Sequence, residues 1–264
     1  MIRRTTRDEQ GVECWVLISQ VEHARISGVL AERWDPRVFS PFDYRGELLA
    51  AIYHHDDGWA DWEQAIGVDP ETGRPLNFTE MPLVESLAIW RASIASASKH
   101  GDMAGYVVSA HFCDLLRRFS SRWQNDAAKA AIAGEFFECQ KQHQADRLER
   151  WNRRARVADA VIAADTALKT LQIFDSLSLW LCCSEHPKPE TFELPGAPPT
   201  TIRSLAHFEA SISPWPFADE RIELQAVGRL IPATRYESPA DLALAPSRKA
   251  DLKWTILGGL GKKA

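Results

Sequence analysis

Apolar positions recur at helical spacing through the first two thirds of the chain and give way to short alternating runs in the last third. Cys14, Trp15, Val16, Leu17 and Ile18 form a short apolar run that reads as a strand or an extended lead-in, with Ser19 placed to cap the helix after it. Val21, Ala24, Ile26, Val29 and Leu30 then keep helical spacing until Asp35 and Pro36 stop them, which puts His23 in a first helical turn. A second helix is predicted over 44–56 on the stripe Leu48, Leu49, Ile52 and Tyr53, with His55 in its last turn and Gly58 supplying its end. Further helices are expected over 83–99, 103–119 with Asp102 as cap, 126–156, and 158–183 with Asp175 in the middle.

Between 58 and 82, glycines and prolines recur beside Trp59, Trp62 and Phe78. Irregular stretches of that length are uncommon without a use. Its place directly after His55 and Asp56 suggests a flap over a site there; a structural cover for the helical core is the other reading. Beyond Pro187 helical periodicity fades, and alternating runs at 206–212, 221–231 and 252–257 predict a small antiparallel sheet. The fold expected is therefore mainly α (α+β overall): a helical domain over 1–186 with a small β-rich appendage over 187–264 packed on it. Pro214, Trp215, Pro216 and Phe217 read as a turn that plugs its rings into the helical body.

Bulk properties narrow the function. With a net charge of -5 the chain offers no general phosphate-neutralising surface, which argues against nucleic acid as a partner. The run Arg147, Arg150, Arg153, Arg154 and Arg156 is interleaved with Asp146 and Glu149 and reads as a solvated helix face. The charged N-terminal stretch lacks the apolar run of a secretory signal, and the apolar runs are too short to cross a bilayer. Five cysteines with no CxxC pair indicate neither a disulfide framework nor a cysteine zinc site, so a reducing cytoplasm is the expected location.

The candidate chemistry lies in His23, the adjacent pair His55 and Asp56, and the distant Asp175. Imidazole nitrogen and carboxylate oxygen together suit a borderline divalent cation. Successive helical residues point about 100° apart, so His55 and Asp56 converge only where their helix ends. An ionised Asp175 inside an apolar helix is costly unless it is paired or bound to a cation; a buried hydrogen bond or an arginine salt bridge is the alternative, with Ser176 and Ser178 near enough to contribute. His111, among Val107, Val108, Phe112 and Leu115, is either a core histidine or a further group facing the site, as a ligand or as a protonated partner for a substrate oxyanion. His100 is a weaker candidate of the same kind. His54 and Asp57 flank the pair and could orient the ligands, and Asp57 is also a candidate general base. Arg45 and Lys99 are candidates for binding substrate phosphate, and solvated helix residues otherwise.

The order His23, His55-Asp56, Asp175 resembles the ligand order of the HD metal-dependent hydrolase superfamily. That resemblance implies an HD-like helical bundle holding one or two divalent ions (Mn, Fe, Ni, Zn or Mg) and hydrolysing a small-molecule substrate, a phosphate ester in the leading reading. Some proteins with HD-like ligand sets instead hold two irons and activate oxygen, which extra histidines such as His111 and His100 would favour. A third reading is a non-enzymatic protein that binds a partner through the charged helix or the sheet. The phrases Glu22-His23-Ala24, His55-Asp56-Asp57-Gly58-Trp59, Gly73-Arg74-Pro75, Ser109-Ala110-His111-Phe112, Phe174-Asp175-Ser176-Leu177 and Pro214-Trp215-Pro216-Phe217 resemble a bacterial family known as domain of unknown function 3891, over almost the whole chain. That family brings no established activity.

Overall fold

Strands from both ends of the chain form one seven-stranded sheet, which overturns the expectation of a mainly α protein with an HD-like bundle and a small β appendage. The computed structural model describes residues 1–35, 44–155, 159–193 and 198–259; Pro36 and Arg156 of the sequence reading lie outside them. The strands are β1 (Ile2–Arg7), β2 (Glu13–Ile18), β3 (Glu190–Phe192), β4 (Thr200–Ala206), β5 (Glu209–Ser213), β6 (Arg221–Pro232) and β7 (Arg248–Gly258). They run in the order β1-β2-β6-β7-β5-β4-β3 and curl into a half-barrel. All neighbours are antiparallel except β5 and β7. The sheet thus draws on both sides of position 187.

β1 escaped the sequence reading because its inward face, Ile2, Arg4 and Thr6, carries no hydrophobic alternation. Arg4 is nonetheless buried, its stem inside, its guanidinium 5.1 Å from the Phe208 ring and 3.4 Å from Glu185.

The helices are α1 (Gln20–Arg33), α2 (Arg45–His54), α3 (Trp59–Trp62), α4 (Leu83–Ser98), α5 (Asp102–Arg118), α6 (Ala127–Ala155), α7 (Ala160–Cys183) and α8 (Pro239–Leu244); all but the short α3 and α8, which lie in stretches read as irregular or β-rich, fall close to their predicted places. One hydrophobic core joins them to the sheet, running from Ile26, Ile52 and Phe174 on the helices to Val16, Ile222 and Ile256 on the strands. α1 and α2 approach so closely at Gly28 that a Cβ there would stand 2.4 Å from the Tyr53 ring. This crossing brings the start of α1 and the end of α2 against α7.

The segment after His55 and Asp56 divides in two. Trp62, Ile66 and Val68 cover a second cluster, Trp15, Leu17, Ile231, Tyr236 and Leu242, so this part is a cover, but over the sheet and not over the helical core. The 3-10 turn Phe78–Glu80 instead stands beside the site, pinned by Arg3, whose two guanidinium nitrogens each lie 2.9 Å from a Glu80 oxygen. The aromatic turn behaves as a plug: Phe217 is buried 5.5 Å from the Trp34 ring. Among the described arginines of the charged helix, Arg150 pairs with Asp102, Arg153 with Glu149 and Arg154 with Glu47. No helix among the described residues is long and apolar enough to cross a membrane.

Candidate metal centre

Ser19 caps α1 by accepting from the Glu22 N–H at 3.0 Å, and this fixes His23 one turn inside, facing α7. On α7 the Ser178 hydroxyl donates to the His23 carbonyl at 2.8 Å and lies 2.7 Å from His23 Nδ1. A hydroxyl has one proton to give, so Nδ1 must be the donor in the second contact. His23 Nε2 then points the other way and stands 2.9 Å from Asp175 Oδ1 and 4.0 Å from Asp56 Oδ2. His55 is fixed the same way. Its Nδ1–H donates to the Ile52 carbonyl at 2.7 Å, and the buried Nε2, without a hydrogen-bond partner, lies 3.5 Å from both Asp56 Oδ2 and Asp175 Oδ1. His111, from α5, brings Nε2 to 3.8 Å from Asp175 Oδ2.

This arrangement calls for positive charge at its centre. A nitrogen lone pair and a carboxylate oxygen 2.9 Å apart repel unless a proton or a cation lies between them. Two ligand atoms about 2.1 Å from one ion, at angles near 90–110°, stand about 3.0–3.4 Å apart, and the distances here bracket that range. His23, His55 and Asp56 alone place one ligand atom each within 4.8 Å of the others, all buried. Two carboxylates would together offset the charge of a divalent ion there. Without one, burial disfavours a charged His55, but Asp56 and Asp175 outweigh it and hold the imidazole up at about 9. Burial likewise opposes ionisation of Asp175, yet the contacts from His23 and His55 keep its carboxyl well below the usual range. His111, where burial dominates, is pushed down.

Removing the tautomer lock isolates its contribution. Ser178→Ala is expected to weaken metal binding by about 10–100-fold with little change in fold, because it frees the His23 ring without removing a ligand. A metal titration of the variant checks this; unchanged affinity would show that Ser178 does not orient His23.

The remaining sequence candidates lie elsewhere. The Asp57 carboxylate accepts from Ser96 at 2.6 Å and from His54 at 2.9 Å, and His54 stacks on His100 at 4.1 Å, so this polar group forms its own network beside the site. Arg45 is exposed and donates to the Glu32 carbonyl at 2.7 Å, at the opposite end of α2, about 15 Å along the helix axis from His55. Lys99 is exposed at the C-terminus of α4. The cations that do approach the site are Arg122 and Lys129, which sit in no motif and left no sequence signal. Gln20 was also missed; its spacing of three from His23 is what places it on the same helix face.

A cavity of about 550 Å³ opens onto Asp56, His111 and Asp175 and is otherwise walled by residues of α1, α3, α4, α5, α6 and α7 and of the 78–83 and 119–123 segments. The cluster is therefore a floor that a small molecule can reach.

No curated protein and no solved structure matches the chain. The HD resemblance accordingly stays one of ligand order. A family model described as protein of unknown function (DUF3891) matches residues 1–233, which include every residue of the cluster, and the chain belongs to that family.

Proposed function

We propose that the protein is a metal-dependent hydrolase acting on a phosphate ester, with His23, His55, Asp56 and Asp175 as the ligands. The observation that carries this reading is the pair of tautomer-locked imidazoles whose Nε2 atoms face two carboxylates at the floor of an open cavity. A divalent ion held by these residues would supply Lewis acidity toward a phosphoryl oxygen and lower the pKa of water. The chain's own groups do the rest. Asp175 Oδ2, turned toward His111 and the cavity, is placed to accept a proton from the attacking water. His111, which lines the cavity beside Asp175, stands next to the place the ester would occupy. Asp57, engaged by Ser96 and His54, leaves the general-base role to the cluster carboxylates.

The third imidazole, His111, also favours a second reading, in which the same residues hold two irons and activate oxygen. Elemental analysis of protein purified without tag or chelator tests both, beside a variant carrying His55→Ala and Asp56→Ala. Stoichiometric metal lost in the variant is the expected result, and iron with an oxygen-sensitive absorbance would turn the assignment to the second reading. No metal in either protein, even after incubation with Mn, Fe, Ni or Zn, would leave only partner binding.

A further inference from the structure

The walls of the cavity differ in character from its floor. Six rings line them: Trp59, Phe78, Trp90, Phe112, Phe119 and Trp123. Trp90 and Phe112 stack on one another, nearly parallel at 5.1 Å. A phosphate ester of a small polar alcohol would leave most of this apolar surface in water, whereas aromatic faces and edges hold ring systems in offset or T-shaped contact.

The cations at the mouth are already committed. Arg122 donates to the Thr79 carbonyl at 2.7 Å and lies 4.6 Å from the Phe119 ring, while Lys129 stands 3.1 Å from Asp126. Both are exposed and the other lining residues add no lysine or arginine, so the cavity carries no cationic cluster of the kind that grips a polyphosphate. The Arg122 bridge, with Arg3 and Glu80 on the other side, holds the 78–80 turn in place, so the slot is preformed.

Two polar atoms in the walls have no hydrogen-bond partner. Gln20, itself buried, leaves Oε1 unpaired, and Trp123 leaves Nε1–H unpaired. Buried polar atoms are normally satisfied, so these two leave a polar margin in residues that line an otherwise apolar cavity.

We infer that the substrate carries an uncharged, ring-bearing apolar body that fills this slot, with its scissile ester at the polar end against Asp56, His111 and Asp175. This rests on the hydrolytic reading of the cluster, but its recognition half is separable.

The test uses 1-naphthol as a binding probe and 1-naphthyl phosphate against glycerol phosphate as substrates, on the full chain with its metal. Naphthol is expected to quench tryptophan emission saturably. Ser86→Trp, one helical turn before Trp90 on the same wall, and Phe119→Glu at the mouth should each weaken that binding about tenfold or more, with metal content unchanged. Phe119 is partly exposed, so its variant keeps the test informative should the tryptophan disturb folding. Naphthyl phosphate should show a KM at least about tenfold below that of glycerol phosphate. Absence of naphthol binding overturns the inference even if glycerol phosphate is hydrolysed. Naphthol binding without hydrolysis of either ester upholds the pocket assignment and overturns the hydrolytic reading.

Discussion

Asp175→Asn is expected to abolish metal retention, with affinity down by more than about 100-fold, since residues that only support ligands already cost 10–100-fold. Asp175 is the hub of the cluster: one oxygen lies 2.9 Å from His23 and 3.5 Å from His55, and the other 3.8 Å from His111. The same substitution should change how the metal-free protein responds to pH. His55, ordinarily near 6.5, is held at about 9 between Asp56 and Asp175 against the effect of burial. A raised value means that the protonated His55 contributes stability in full below about 6.5 and loses it as pH climbs through about 9, on the order of 3 kcal/mol for this group. The depressed Asp175 carboxyl works at the other end, contributing above the ordinary carboxylate range and losing its contribution in acid. Thermal unfolding of chelator-treated protein between pH 6 and 9.5 should therefore show a falling Tm for the wild type and a flatter curve for Asp175→Asn, in which only Asp56 still faces His55. Parallel curves, or a variant that keeps its metal, would refute this account of the cluster.

Much of that cluster was legible in the sequence because helix signals are local. Ser19 fixes the start of α1, apolar spacing fixes α2 and α7, and together they place His23, His55 and Asp175 on facing surfaces. His111 was left between two readings because periodicity alone does not say which of its buried neighbours carries charge. Asp57 and the cations were harder. Whether a carboxylate beside a ligand turns toward the ion depends on partners such as Ser96, 39 positions away. Arg122 reaches the cavity only through a 3-10 turn that no spacing rule predicts. The sheet was the largest omission. Its first strand buries an arginine in place of an apolar residue, and β5 and β7 pair in parallel across a long excursion through β6. Strand partners that distant leave no mark on local periodicity.

Gly58→Ala is expected to destabilise the fold by about 3 kcal/mol, lowering Tm by roughly 6–12 °C for a chain of this size. Sequence reading assigned Gly58 to ending a helix, but its φ is -64 and its ψ -14, values any residue adopts. On backbone preference alone, alanine here would be mildly stabilising. Packing decides otherwise. A Cβ at 58 would stand 2.1 Å from the Ile89 carbonyl oxygen and 2.6 Å from the Ser93 nitrogen, both backbone atoms of α4 that no rotamer change can move aside. The turn is also tied to α4 by the Gly58 N–H, which donates to Ser93 Oγ at 2.9 Å. Relief requires the turn to withdraw from α4, and Asp56, two residues earlier, would move with it. The stability loss should therefore come with weaker metal binding. Gly46→Ala is the matched control: it lies on exposed α2 surface with nothing within 4 Å of its Cβ position, and should leave Tm unchanged or raise it slightly. If Gly58→Ala behaves like Gly46→Ala, the close approach of the ligand-bearing turn to α4 does not constrain the site. If Tm and metal affinity fall together, glycine is kept at 58 to seat the His55-Asp56 pair against a helix backbone.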